Sequence, residues 1–154
     1  MTRIALLATI GAVLACGGAA ARWIDDAAST NAQVDASLRD GQLGRARSLL
    51  EQLVSRPAPA TVSNGDRRAV LQDAYARLAA VALREESPAQ AIRYADAGLA
   101  LGERGDVFTA TLRTLRGRAH EALRNDAEAV RDYEAAQMID EALLQAALSG
   151  RGAR

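Results

Sequence analysis

The chain has 154 residues and a formal net charge of zero, enough for one domain with a modest core. Apolar residues make up 49% but aromatics only 3%, so the core must be built from Ala, Leu and Val, which suits close-packed helices better than strands. The balanced charge excludes a global field that would steer nucleic acid or acidic substrates. Every basic side chain is Arg, a usage that suits bidentate contacts and that a GC-rich genome would equally produce.

The amino terminus carries Arg3 and then an uncharged run from Ile4 to Ala21. Its first part has the length and order of a signal peptide. Val13-Leu14-Ala15-Cys16 followed by Gly17-Gly18 resembles the lipobox of bacterial lipoproteins, and Cys16 is the only cysteine of the chain. Three readings stay open. Cys16 is acylated and tethers the mature chain to a membrane by more than one acyl chain. Alternatively, Ile4 to Ala21 is retained as a signal anchor of roughly 27 Å, with Arg22 and Trp23 at the far interface. In the third reading, cleavage near Ala19-Ala20-Ala21 releases a soluble domain. All three put the residues beyond Trp23 outside the cytoplasm. One cysteine leaves no intramolecular disulfide, so stability must come from packing.

Helical signals follow in order. Asp25 to Asp40 is predicted as a helix, with Ser29 or Asn31 as a cap and Val34 and Leu38 on one face. Gly41-Gln42 breaks it. Leu43 to Ser55 then shows an apolar stripe through Ala46, Leu49, Leu50, Leu53 and Val54. Arg56 to Asp66, with Pro57, Pro59, Asn64 and Gly65, is predicted as a loop in which residues 58–64 are dispensable. Arg67 to Arg84 is the third helix, with Val70, Leu71, Ala74, Leu78, Val81 and Ala82 inside. Ser87 is predicted to cap the fourth, which has Pro88 in its first turn and runs to about Leu101, where Gly102 stops it. Asp106 opens a fifth helix lined by Phe108, Leu112, Leu115, Ala119 and Leu123. Asp126 caps a sixth, with Ala129, Val130, Tyr133, Ala136 and Met138 inward. Glu141 to Leu148 reads as a separate capping segment, and Gly150 to Arg154 as a frayed tail.

The order Gly117, His120, Ala129, Tyr133, Ala136 resembles a tetratricopeptide repeat, a helix-turn-helix unit of about 34 residues. Leu78, Ala79, Ala82, Ala91, Ala95, Gly98 and Leu99 form a weaker copy, and Val34, Gly41, Ala46, Leu50 and Leu53 another. The small residues would sit where two helices cross too closely for larger side chains. Arg113 and Arg116 depart from the family pattern, which has apolar residues at those places. The resemblance implies an all-α fold: a short α-solenoid of about three such hairpins plus a C-terminal capping helix, preceded by an apolar N-terminal helix. Residues 1–23 form the leader or anchor, 24–149 the helical domain and 150–154 the tail. It also implies that first helices line a concave binding face. Carried over by position, that face comprises Asn31, Asp35 and Leu38; Asp73, Ala76, Ala80, Leu83 and Arg84; and Thr111, Thr114, Arg118 and Glu121. A peptide or helix with an apolar side and a few charges would suit it.

Catalytic signals are weak. His120 is the only histidine and stands at an aromatic packing position, and with Cys16 it makes no convincing metal site or nucleophile pair. Adjacent carboxylates at Asp25-Asp26 and Glu85-Glu86 do not face each other on a helix. Arg113, Arg116, Arg118 and Arg124 form a basic cluster; Glu121, Asp126 and Glu128 interspersed with it point to a mixed, solvated face, the alternative being a patch that binds an acidic partner. Few aromatics are available to stack bases, so nucleic acid is not expected. The expectation is a non-enzymatic scaffold without cofactor, metal or small-molecule substrate. It is tethered to a membrane of the bacterial envelope, faces the periplasm or exterior, and holds a protein or peptide of a secretion, pilus or outer-membrane assembly. The alternative is a single-span structural subunit whose amino-terminal helix packs inside a membrane complex, with Ala8, Gly11, Ala15 and Gly17 permitting close contact.

Overall fold

A computed structural model describes residues 5–151, with side chains described for residues 18–150. The described residues form six helices: α1 (Ala5–Arg39), α2 (Leu43–Ser55), α3 (Asn64–Arg84), α4 (Pro88–Leu99), α5 (Val107–Ala122) and α6 (Asp126–Arg151). Helices adjacent in sequence pack on one another, and α3 also packs on α5. The side chain of Cys16 lies outside the described residues, and with it the test of acylation. Among the described residues no helix is long and apolar enough to cross a membrane.

Three hairpins, α1–α2, α3–α4 and α5–α6, close through one and the same turn. Its middle residue is left-handed each time: Gly41 (φ +73°), Glu86 (φ +55°) and Arg124 (φ +62°). The next amide reaches back to a carbonyl in the last turn of the preceding helix. Gln42 N donates to Ser37 O at 2.8 Å, Ser87 N to Ala82 O at 2.9 Å, and Asn125 N to His120 O at 2.9 Å. These bonds satisfy carbonyls that a helix end leaves orphaned. Ala46, Ala91 and Ala129 then follow at the same place in each second helix, all buried. The recurrence read from the sequence at these alanines therefore reflects a repeated local geometry.

The core falls into two clusters that share α3. Ala74, Leu78 and Val81 face α1 and α2, where they meet Ala27, Val34, Ala46, Leu50 and Leu53. Ala76, Ala79 and Ala82 face α4 and α5, where they meet Ala91, Ala95, Leu99, Leu112, Leu115 and Ala119. A helix buried on two sides needs small residues nearly all round, hence the alanine-rich α3. Gly98 and Gly117 sit where the crossing is tightest. A Cβ on Gly98 would lie 2.7 Å from Leu112 Cδ2, and one on Gly117 2.8 Å from Tyr133 Cε1.

Several sequence expectations need correction. The helix expected over Asp25 to Asp40 is not one of its own, since α1 runs unbroken from Ala5 to Arg39 and encloses Ser29 and Asn31, which therefore cap nothing. Trp23, assigned to the leader, is buried, only 4% exposed. The α3 helix starts at Asn64 because Ser63 Oγ accepts from Asp66 N at 3.0 Å, an N-cap placed inside the expected loop. Val62 in the same loop is buried, so residues 58–64 are partly packed rather than a free loop. Ser87 makes no capping bond, although Pro88 does begin α4. The capping segment is no separate helix: α6 continues through it, because no breaker precedes Gly150. Past Ala136 it leaves the core, and Met138, Leu144 and Leu148 are exposed, as are Leu123 and Val130.

Candidate interaction groove

The residues expected to line a binding face divide into two groups with different fates. Asn31, Asp35 and Asp73 belong to a network that fastens α1 to α3. Asn31 Nδ2 donates to Asp73 Oδ2 at 3.1 Å. Arg77 completes it, with Nη1 donating to Asp35 Oδ1 at 2.7 Å and Nε to Asp73 Oδ2 at 3.1 Å. Burial opposes the Arg77 charge, but the hydrogen bond to Asp35 and the field of Asp73 outweigh it and raise its pKa. Arg77 was not anticipated, although its spacing of one helical turn from Asp73 was a readable signal. Leu38 packs half-buried against the first core cluster, and Ala76 is buried in the second. Ala76 therefore has almost no surface to present, whereas Leu38 keeps part of its surface exposed. Thr111 and Thr114 turn their hydroxyls back to Val107 O at 2.8 Å and Ala110 O at 3.0 Å of their own helix.

The second group converges. Because α3 and α5 pack side by side, Ala80, Leu83, Arg84 and Arg118 line one depression. A continuation of about 510 Å³ is lined by Leu83, Arg118, Glu121, Ala122 and Arg124. Leu83 and Arg118 are common to both, so the two form a single groove. Ala122 and Arg124 were not among the expected lining residues. The left-handed backbone of Arg124 keeps it beside the end of α5. Glu121 Oε2 accepts the Tyr133 hydroxyl at 2.7 Å. Partial desolvation, followed by this hydrogen bond and the charge of Glu121, pushes the Tyr133 phenol up to about 12; Arg118 is near enough to oppose the shift.

The basic cluster read from the sequence is split between two sides of α5. Arg113 and Arg116 point away from the groove to Asp132 of α6, whose side chain is 4% exposed. Arg116 Nε donates to Asp132 Oδ2 and Nη2 to Asp132 Oδ1, each at 2.7 Å, a bidentate pair. Arg113 Nη1 donates to Asp132 Oδ1 at 3.0 Å. Asp96 of α4 accepts from Arg116, and Glu103 from Arg113. The hydrogen bonds to Asp132 outweigh desolvation and hold the Arg116 pKa above its ordinary value. The two arginines that break the repeat pattern are thus compensated by an acid on the neighbouring helix. Arg84, Arg118 and Arg124 are exposed, and none forms an ion pair among the described residues.

His120 is half-buried, with Nδ1 3.5 Å from Asn125 Nδ2 at the α5–α6 turn. Among the described residues no group of His, Cys, Asp and Glu is arranged to hold a metal ion. The groove offers the cationic hydrogen-bond donors of Arg84, Arg118 and Arg124 beside a small apolar floor of Ala80, Leu83 and Ala122. Comparison with protein-family models and with curated proteins finds no match.

Proposed function

We propose that this chain is a tetratricopeptide-like scaffold, a short α-solenoid that binds a peptide or helix of an envelope assembly between its first helices. The observation that carries the reading is the pairing of α3 with α5, which makes one groove from residues of two successive hairpins. The threefold turn with its following alanine supports the repeat architecture. Only half of the face inferred from the resemblance is used: the end nearest α1 is consumed by the Arg77 network, and the partner meets Ala80, Leu83, Arg84, Arg118, Glu121 and Arg124. The amino terminus tethers this scaffold to a membrane, through acylated Cys16 or as a retained anchor, with the helical part facing the periplasm or exterior.

The test is photocrosslinking in the native host from a reactive residue placed at Leu83, with Val107 on the exposed start of α5 as the control position. A discrete adduct from Leu83, absent from Val107 and abolished by Ala80→Arg, is the expected result. Equal adducts from both positions would refute the groove. The tether is tested by intact mass of the membrane-purified protein beside Cys16→Ser. A mass that begins at acylated Cys16 establishes the lipid anchor, and one that retains the unlipidated leader establishes the span.

A further inference from the structure

We infer that the groove selects an acidic segment: a stretch of Asp or Glu around one apolar side chain that seats on Leu83. The inference rests on the proposed groove and deepens it. Its ground is how the structure distributes charge. At the α1 end, two carboxylates, Asp35 and Asp73, are already engaged by Arg77 and Asn31. On the far side of α5, Arg113 and Arg116 are neutralised by Asp132, Asp96 and Glu103. What is left open in the groove is Arg84, Arg118 and Arg124 against one acid, Glu121. Three cations less one anion leaves an excess of two positive charges.

Glu121 offsets one of the three charges but does not occupy the donors of its neighbour Arg118. It lies one helical turn from Arg118, in ion-pair range by sequence, yet its Oε2 accepts the Tyr133 hydroxyl and no Arg118–Glu121 bridge forms. The guanidiniums therefore keep their donors for a visitor, and Arg is the side chain suited to holding carboxylates in two-pronged contact. The recess also favours a narrow segment over a flat surface. Leu83 and Ala80 are half-buried against the second core cluster, so an apolar residue of the visitor meets a floor set between α3 and α5.

The experiment is selection from a random-peptide library on the full chain in detergent, followed by binding of the synthesised consensus peptide. Acidic peptides carrying an apolar residue should be recovered. Their affinity should fall about ten-fold in Arg84→Glu/Arg118→Glu with the melting curve unchanged, and it should weaken as salt is added. Arg118→Gln and Arg124→Gln should each give a smaller loss, and they serve if charge reversal disturbs folding. Recovery of neutral or basic peptides that still compete at Leu83 overturns the acidic preference and leaves the groove standing. Recovery of none, or of peptides indifferent to Leu83→Arg, overturns both readings. If none is recovered and Arg118-dependent binding to phosphatidylglycerol vesicles is seen instead, the arginines belong to a lipid surface.

Discussion

Replacing Asp132 with Ala should be among the most damaging single changes in the chain. Asp132 is 3% exposed and receives three hydrogen bonds from Arg113 and Arg116, whose side chains are 21% and 22% exposed. Removing it strands two mostly buried guanidiniums between α5 and α6. Breaking a buried pair by deleting one partner costs about 3–5 kcal/mol. Here Glu103 and Asp96 still hold one edge of each arginine, and some solvent reaches both, so the lower end applies. A loss of about 3 kcal/mol corresponds to a fall of about 6–12 °C in the melting temperature of a domain this size. Far-UV circular dichroism reads it directly. Asp132→Asn, which keeps the shape and one acceptor oxygen, should fall between wild type and Asp132→Ala. The double change Asp132→Leu with Arg116→Met should recover much of the loss, because a packed apolar pair can replace a buried ion pair at little cost. A shift below about 1 kcal/mol for Asp132→Ala would put the network among ordinary surface pairs and refute this reasoning.

Glu86→Gly and Arg124→Gly should each stabilise by about 0.5–1 kcal/mol, since a left-handed L-residue costs more than glycine's extra unfolded-state entropy; a lower denaturant midpoint for both would contradict the repeated turn. Gly41→Ala should move the midpoint the other way. Gly117→Ala should destabilise by about 1–2 kcal/mol, because crowding Tyr133 outweighs the better helix propensity of Ala. In a Tyr133→Ala background the same change should become stabilising, and an unchanged sign would remove Tyr133 as the cause. Tyr133 should titrate near pH 12 by ultraviolet absorbance, and Tyr133→Phe should delete that component. Its folded pKa lies above the ordinary value of about 10, so the stability this tyrosine contributes is complete below pH 10 and disappears as the pH rises toward 12. A pH-independent midpoint over that window would exclude the Glu121 contact.

Much of the helical layout was legible because it depends on local signals. The bounds of α2, Leu43–Ser55, follow from Gly41 before it and an unbroken apolar stripe within it. The small residues Gly98 and Gly117 announced close crossings before any partner was visible. The misses arose where a signal was weak or lay on another element. Ser63 and Asp66 form a cap that proline-rich neighbours disguised as loop. Gln72 looks like a surface position between Leu71 and Asp73, yet it is fully buried. Its Nε2 donates to Gly98 O at 3.2 Å and Gly102 O at 3.1 Å, tying α3 to the end of α4. Nothing local to Gln72 discloses carbonyls on another helix.

The split of the arginine cluster was within reach of the sequence, and it decides the site. Residues three apart on a helix share a face, whereas residues two apart point nearly opposite ways. Arg113 and Arg116 are therefore one pair, and Arg118 belongs with Glu121 on another face. Taking four nearby arginines as one patch merged a structural pair with the lining of a groove. Identifying the structural pair required its acid, and Asp132 lies on the next helix, one turn beyond the small contact residue Ala129. In a chain with no net charge, what a face can bind is set by which charges find partners inside the fold. Near α1 they do, through Arg77, which engages Asp35 and Asp73. Beside Leu83 they do not, and the proposed recognition of an acidic segment depends on the charge left on Arg84, Arg118 and Arg124.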